Sequence, residues 1–201
     1  MKIDSKTTLR KEVRQRIESL SEPTKKKHSQ KICQHLENSV FFKNHPTLLT
    51  YSALPNEPNL LALFHQLSSQ QVFCFPRVIG EHLEIRQVND AVALVPGYAN
   101  IREPSAELCP LFPQQDLQVI LLPGLAFDPS NGARLGKGKG FYDRLLDDLI
   151  TNPASAVITI GVCFSCQLDQ VPEEEHDQRV DVIVTEKDIF TPRSSLALDR
   201  Q

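Results

Sequence analysis

Two short apolar runs, "LLTYSA" from Leu48 and "VFCFPRV" from Val72, flank the helix-like stretch "PNLLALFHQLSSQ". Strand, helix, strand in that order fits a crossover that lays the two strands parallel, with the helix packed outside the sheet. Further runs of strand length follow as "LEIRQV", "VILLPG", "AVITIGVCF" and "VDVIVTE", separated by loops or helical stretches. The expected fold is therefore α/β: three α/β/α layers around a mainly parallel, Rossmann-like central sheet. With 201 residues and no repeat, low-complexity tract or evident linker, one domain over residues 1–201 is expected.

Before the first strand, Leu9, Val13, Ile17 and Leu20 recur at three- and four-residue spacing, as in an amphipathic helix. "SEPTKKKHSQKICQHL" then starts a second helix, with Ser21 placed to cap it and Pro23 tolerated in its first turn. Met1–Lys31 holds ten Lys/Arg against four Asp/Glu, although the whole chain carries −3. A net acidic protein is a poor candidate for general nucleic-acid binding. No apolar run approaches the ~18 residues of a membrane span, and the N-terminus lacks a secretory apolar segment. Five irregularly spaced cysteines read as reduced thiols, and cytoplasm is the expected location. "AVALVPGYANIREPSAELCPLFPQQ" is Pro-rich, irregular and long enough to suggest a functional loop.

The segment with most chemistry is "GARLGKGKGFYDR", between the strand "VILLPG" and a helix starting near Phe141. Backbone N–H groups of Gly136, Gly138 and Gly140 can approach a phosphate because no Cβ intervenes, and the start of a helix favours an anion. Arg134, Lys137 and Lys139 add full positive charges. A Walker A loop is excluded, since Gly132 and Gly136 are one residue too close and Gly138 fills the Ser/Thr place. G-x-G-x-x-G is excluded because the glycines alternate strictly. Asp143 stands where a carboxylate could hold Mg²⁺ against phosphate oxygens. A flexible basic turn followed by a helix-start acid stays open as the simpler reading.

Taken with its strand, "LPGLAFDPSNGARLGKGKGFYDR" resembles the signature of the 5-formyltetrahydrofolate cyclo-ligase (methenyltetrahydrofolate synthetase) family, Pro-Gly-x-x-F-D followed by G-x-R-L-G-x-G-x-G-[FY]-Y-D. "KTTLR", "YSALPNEPN", "FPR", "IREP", "GVCFSCQ" and "HDQRVDVIVTE" match the family in type and order, so the resemblance spans nearly the whole chain. It implies ATP-dependent closure of 5-formyltetrahydrofolate, with or without a polyglutamate tail, to 5,10-methenyltetrahydrofolate. ATP is the co-substrate and Mg²⁺ the cofactor, and the protein is expected to be a monomer.

By position, the resemblance implies ATP contacts from Lys6, Arg10, Arg134, Leu135, Gly136, Lys137, Gly138, Lys139, Gly140, Phe141 and Tyr142. It implies folate contacts from Ser52, Glu57, Lys137, Gly138, Lys139, Gly140 and Phe141, and Mg²⁺ ligation by Asp143 and Asp181. Lys139, Arg134 and Tyr142 would act directly on the reaction. As residues alone, Lys6 and Arg10 fit a solvated helix face, Asp181 a loop acid, Glu57 a surface carboxylate and Tyr142 a packed helix residue. Two other functions use the same loop: a small-molecule kinase, and a non-catalytic nucleotide or RNA module that stacks bases on Phe141 and Tyr142.

Overall fold

The computed structural model describes residues 5–150, 157–174 and 177–192. Helix α1 (Ser5–Glu18) buries Leu9, Val13 and Ile17 along one stripe, with Leu20 half-buried just beyond it. Helix α2 (Glu22–Asn38) starts as its sequence requires: the Ser21 side chain accepts a hydrogen bond from the Thr24 N–H, and Pro23 sits in the first turn, where it breaks no helical bond. A short α3 (Val40–Lys43) leads into strand β1 (Thr47–Leu49), and α4 (Leu61–Leu67) carries the chain over to β2 (Val72–Ile79), parallel to β1. The expected crossover is present.

Strand β3 (His82–Gln87) turns back antiparallel to β2. The Pro-rich segment then forms a ribbon of β4 (Leu94–Pro96) and β5 (Arg102–Pro104). Strand β6 (Val119–Pro123) returns to the sheet. After it, a second ribbon, β7 (Ala126–Phe127) with β8 (Arg134–Leu135), precedes α5 (Phe141–Ile150). Strands β9 (Ile158–Val162), β10 (Val182–Val184) and β11 (Ile189–Phe190) finish the sheet, whose order is β11-β10-β9-β6-β1-β2-β3. The five central strands are mutually parallel, and only the edge strands β3 and β11 run antiparallel.

Alternate strand residues separate the core into two apolar layers, because successive side chains point to opposite faces. Leu48, Phe73, Val119, Leu121 and Val182 pack with α1, α2 and α4. Leu49, Cys74, Ile120, Leu122 and Ile183 pack with Leu145, Leu146 and Leu149 of α5. Helices therefore cover both faces, giving the three-layer α/β arrangement. No helix among the described residues is long and apolar enough to cross a membrane.

Strand order fixes where a ligand can enter. From β1 the chain moves one way to β2 and later returns to place β6 on the other side of β1. Connections leaving β1 and β6 thus diverge, and the crevice beyond their carboxyl ends is the place where open α/β sheets bind ligands.

Candidate active site

A cleft of about 370 Å³ opens at that point. Its floor is Tyr51 and Ser52 after β1 and Pro123 at the end of β6. Arg134 and the stretch from Gly136 to Asp143 form one wall, and Tyr98 to Glu103 of the β4–β5 ribbon form another. Val78 and Leu83, paired across β2 and β3, add an apolar surface.

The loop enters α5 through glycines at backbone angles suited to close approach: φ is +94° at Gly138 and +66° at Gly140. A Cβ at Gly138 would meet nothing within 4 Å, so the open space is on the ligand side. Arg144 braces the turn, donating to the Lys139 and Glu81 carbonyls, while its guanidinium lies 5.4 Å from the Phe141 ring. Arg10 reaches from α1 and donates to the Gly136 carbonyl at 3.4 Å. One end of the loop is therefore tethered to α1 and the other to α5.

Charges within the cleft are paired internally. Lys137 is ion-paired with Glu57, whose second oxygen accepts the Leu54 N–H at 2.9 Å. The buried Arg134 is ion-paired with Asp143, and its Nε has no hydrogen-bond partner. Ser52 likewise has a buried hydroxyl without a partner. Two unsatisfied polar atoms lining a cleft are what a polar ligand would complete, since such atoms are otherwise costly to bury. Lys139 is exposed at the rim and forms no ion pair among the described residues. Tyr142 lies with its ring 5.9 Å from the Arg134 guanidinium, and burial, assisted by the Glu57 charge, pushes its phenol well above the ordinary value despite that guanidinium. It stays protonated at neutral pH.

Most residues singled out from the sequence meet here: Ser52, Glu57, Arg134, Gly136, Lys137, Gly138, Lys139, Gly140, Phe141, Tyr142 and Asp143 all line the cleft. Three do not. Leu135 is buried in the core, where β8 pairs with β7. Lys6 pairs with Asp177 at 2.6 Å and Glu174 at 3.1 Å, away from the cleft lining. Asp181 accepts from both the N–H and the hydroxyl of Thr159 at the start of β9. Thr159 is level with Ile120, three residues before the cleft-lining Pro123, or about 10 Å along the strand. Asp181 is thus at the opposite strand ends from Asp143, and the two do not form a joint ion site. Sequence reasoning missed the wall made by Tyr98, Ile101, Arg102 and Glu103. "IREP" was visible as a motif, but its three-residue strand gave no periodicity that would aim it at the cleft.

The 5-formyltetrahydrofolate cyclo-ligase family model matches residues 2–186. A 5-formyltetrahydrofolate cyclo-ligase from Mus musculus is 27% identical over 197 residues, covering 90% of this chain and 94% of that protein. The solved 5,10-methenyltetrahydrofolate synthetase of Aquifex aeolicus superposes with a TM-score of 0.81 at 33% identity, covering 94% of this chain and 93% of that one. A synthetase structure from Mycoplasma pneumoniae, 24% identical with a TM-score of 0.71 over 91% of this chain and 99% of that one, shares the fold. With the signature loop lining a cleft at the sheet's switch point, the chain belongs to the 5-formyltetrahydrofolate cyclo-ligase family and is a carbon–nitrogen ligase.

Proposed function

We propose that the protein closes 5-formyltetrahydrofolate to 5,10-methenyltetrahydrofolate at the expense of ATP, releasing ADP and phosphate. The observation that carries this reading is the glycine–lysine loop, open toward the cleft at a helix start and lined with cations that a polyanion can engage.

A formyl amide oxygen leaves poorly, so ring closure needs it converted to phosphate. The formyl oxygen attacks the γ-phosphorus, the β–γ bridging oxygen leaves with ADP, N10 closes on the formyl carbon and gives up its proton to the phosphate group or solvent, and the C–O bond breaks to release phosphate. Little proton chemistry is needed in the transfer, so the protein acts by positioning and charge neutralisation. N–H groups of Gly136, Gly138 and Gly140 surround phosphate oxygens, and Arg134, Lys137 and Lys139 neutralise them. Arg10 holds the loop through the Gly136 carbonyl. Lys6, ion-paired with Asp177, steadies the adjoining face of α1. Glu57, Ser52 and Phe141 contact the folate, and the protonated Tyr142 orients its ring over Arg134.

Mg²⁺ fits this donor set as an ion held mainly by phosphates, since it commonly takes only one or two protein carboxylates. Asp143, with its side chain 34% exposed at the cleft, is the carboxylate that would hold it. When bound, the ion neutralises charge on the transferring phosphoryl group. The same reading has one domain acting as a cytoplasmic monomer on folate with or without a polyglutamate tail.

The test is the methenyl absorbance of purified protein with 5-formyltetrahydrofolate and Mg²⁺, with and without ATP, alongside phosphate release. ATP-dependent product with one phosphate per turnover is expected. A stable phosphorylated product would instead indicate a kinase, and oligonucleotide binding without turnover a nucleic-acid module.

A further inference from the structure

Glu103 is 6% exposed, lines the cleft, and takes part in none of the ion pairs among the described residues. Its Oε1 accepts a single long bond, 3.4 Å, from the Val78 N–H. The nearby guanidinium groups are engaged elsewhere: Arg77 donates to the Pro104 carbonyl, and Arg102 to the carbonyls of Leu94 and Ala91. The fold also reserves room for the second oxygen. A Cβ on Gly97 would stand 2.3 Å from Glu103 Oε2, so only glycine lets the carboxylate occupy its position. The other two carboxylates of the cleft are already partnered, Glu57 by Lys137 and the Leu54 N–H, and Asp143 by Arg134.

A buried carboxylate without a cation or a full set of donors is costly, and its location in a ligand cleft points to a ligand that supplies the donors. The surrounding wall is apolar, with Val78, Leu83, Ile101 and Phe141, and suits a flat ring. Resting on the folate reading above, we propose that Glu103 is a specificity-determining residue that recognises the amino-pyrimidinone edge of the pterin. That edge presents an exocyclic amine and a ring N–H side by side, two donors that match the two oxygens of one carboxylate. In this arrangement Glu57 is left to position the N10 side of the substrate.

The assignment is tested by binding, without turnover, of 5-formyltetrahydrofolate and its 2-deamino analogue, using calorimetry on wild-type protein and on Glu103→Gln. The glutamine keeps the shape but turns an amide N–H₂ toward ligand donors. Wild type is expected to prefer the natural folate by about 10- to 150-fold, the range for a hydrogen bond to a charged group. Glu103→Gln should lose most of that preference, with ATP affinity unchanged, and in turnover should raise KM for folate more than it lowers kcat. Gly97→Ala retains the acid but displaces Oε2, and should reduce the preference in the same direction. It keeps the test open if the glutamine variant does not fold. An undiminished preference in folded Glu103→Gln, or wild-type binding of both ligands with equal affinity, overturns the Glu103 assignment alone. Wild-type protein that binds ATP but neither folate overturns the folate reading together with it.

Discussion

Lys139 and Lys137 differ by two positions and by their surroundings. Lys137 is held by Glu57 within the cleft, whereas Lys139 is an exposed rim cation without an ion pair among the described residues. Replacing Lys139 with Ala should remove one charge-assisted phosphate contact, about 2–3 kcal/mol or roughly 30- to 150-fold in kcat/KM, with the fold unchanged. An unchanged rate would remove Lys139 from the reaction. Tyr142 leads to a different expectation. Burial keeps its phenol protonated well above the ordinary range, so it has a proton to donate to a ligand but does not serve as a base near neutrality. The pH profile of kcat/KM for Tyr142→Phe should keep the wild-type shape at a lower level. A basic limb present in wild type and missing in the variant would contradict this. Glu57 and Arg134 could be placed in the site from sequence motifs, but their pairing with Lys137 and Asp143 could not, because contacts 80 and 9 residues apart depend on how the loop closes.

Strands β6 and β9 are packed around a single ring. Phe127 is fully buried, and a Cβ would lie 2.7 Å from it at Gly124 and 2.4 Å from it at Gly161. Both glycines are occupied by the ring, so Gly161→Ala overpacks a rigid neighbour and should destabilise by about 1–3 kcal/mol in urea unfolding. At the far end of β10, Glu186 accepts from the Ser165 N–H and hydroxyl. Burial alone would raise its carboxyl, but those bonds and the nearby His28 outweigh it and hold the group below the ordinary 4.5. A depressed folded value means that its stabilisation is complete above 4.5 and is lost as pH falls through the folded value. Glu186→Gln should therefore flatten the acid limb of stability against pH. An equally steep limb in the variant would contradict the role.

The elements legible in the sequence were those long enough to carry a pattern. The α1 stripe, the Ser21 cap and the apolar runs of the parallel strands all follow from local rules. The ribbons β4–β5 and β7–β8, with strands of two or three residues, lie below any usable period and look like loop in the sequence. That shortness is also why Tyr98 and Glu103 were not assigned to the cleft.

For the whole molecule, the site follows from strand order: β1 and β6 are neighbours whose connections diverge, and the signature loop leaves from β6 into the resulting crevice. All five cysteines are unpaired, and four are buried. Burial pushes Cys33 up to about 11 and Cys74 up to about 12, and raises Cys109, Cys163 and Cys166 as well. Thiol reagents at about pH 8 should therefore react slowly with native protein and rapidly with all five thiols after denaturation. Fast modification of several thiols in the native state would contradict this packing.

In the proposed reaction the cleft holds a phosphoryl group while a formyl oxygen takes it. The most direct measurement is a single turnover with 5-formyltetrahydrofolate labelled with ¹⁸O in the formyl group, followed by mass analysis of the released phosphate. Transfer of the label into phosphate, one ¹⁸O per methenyl product, is the expected result. Methenyl product accompanied by unlabelled phosphate would show that the formyl oxygen leaves by another route and would contradict phosphoryl transfer to it.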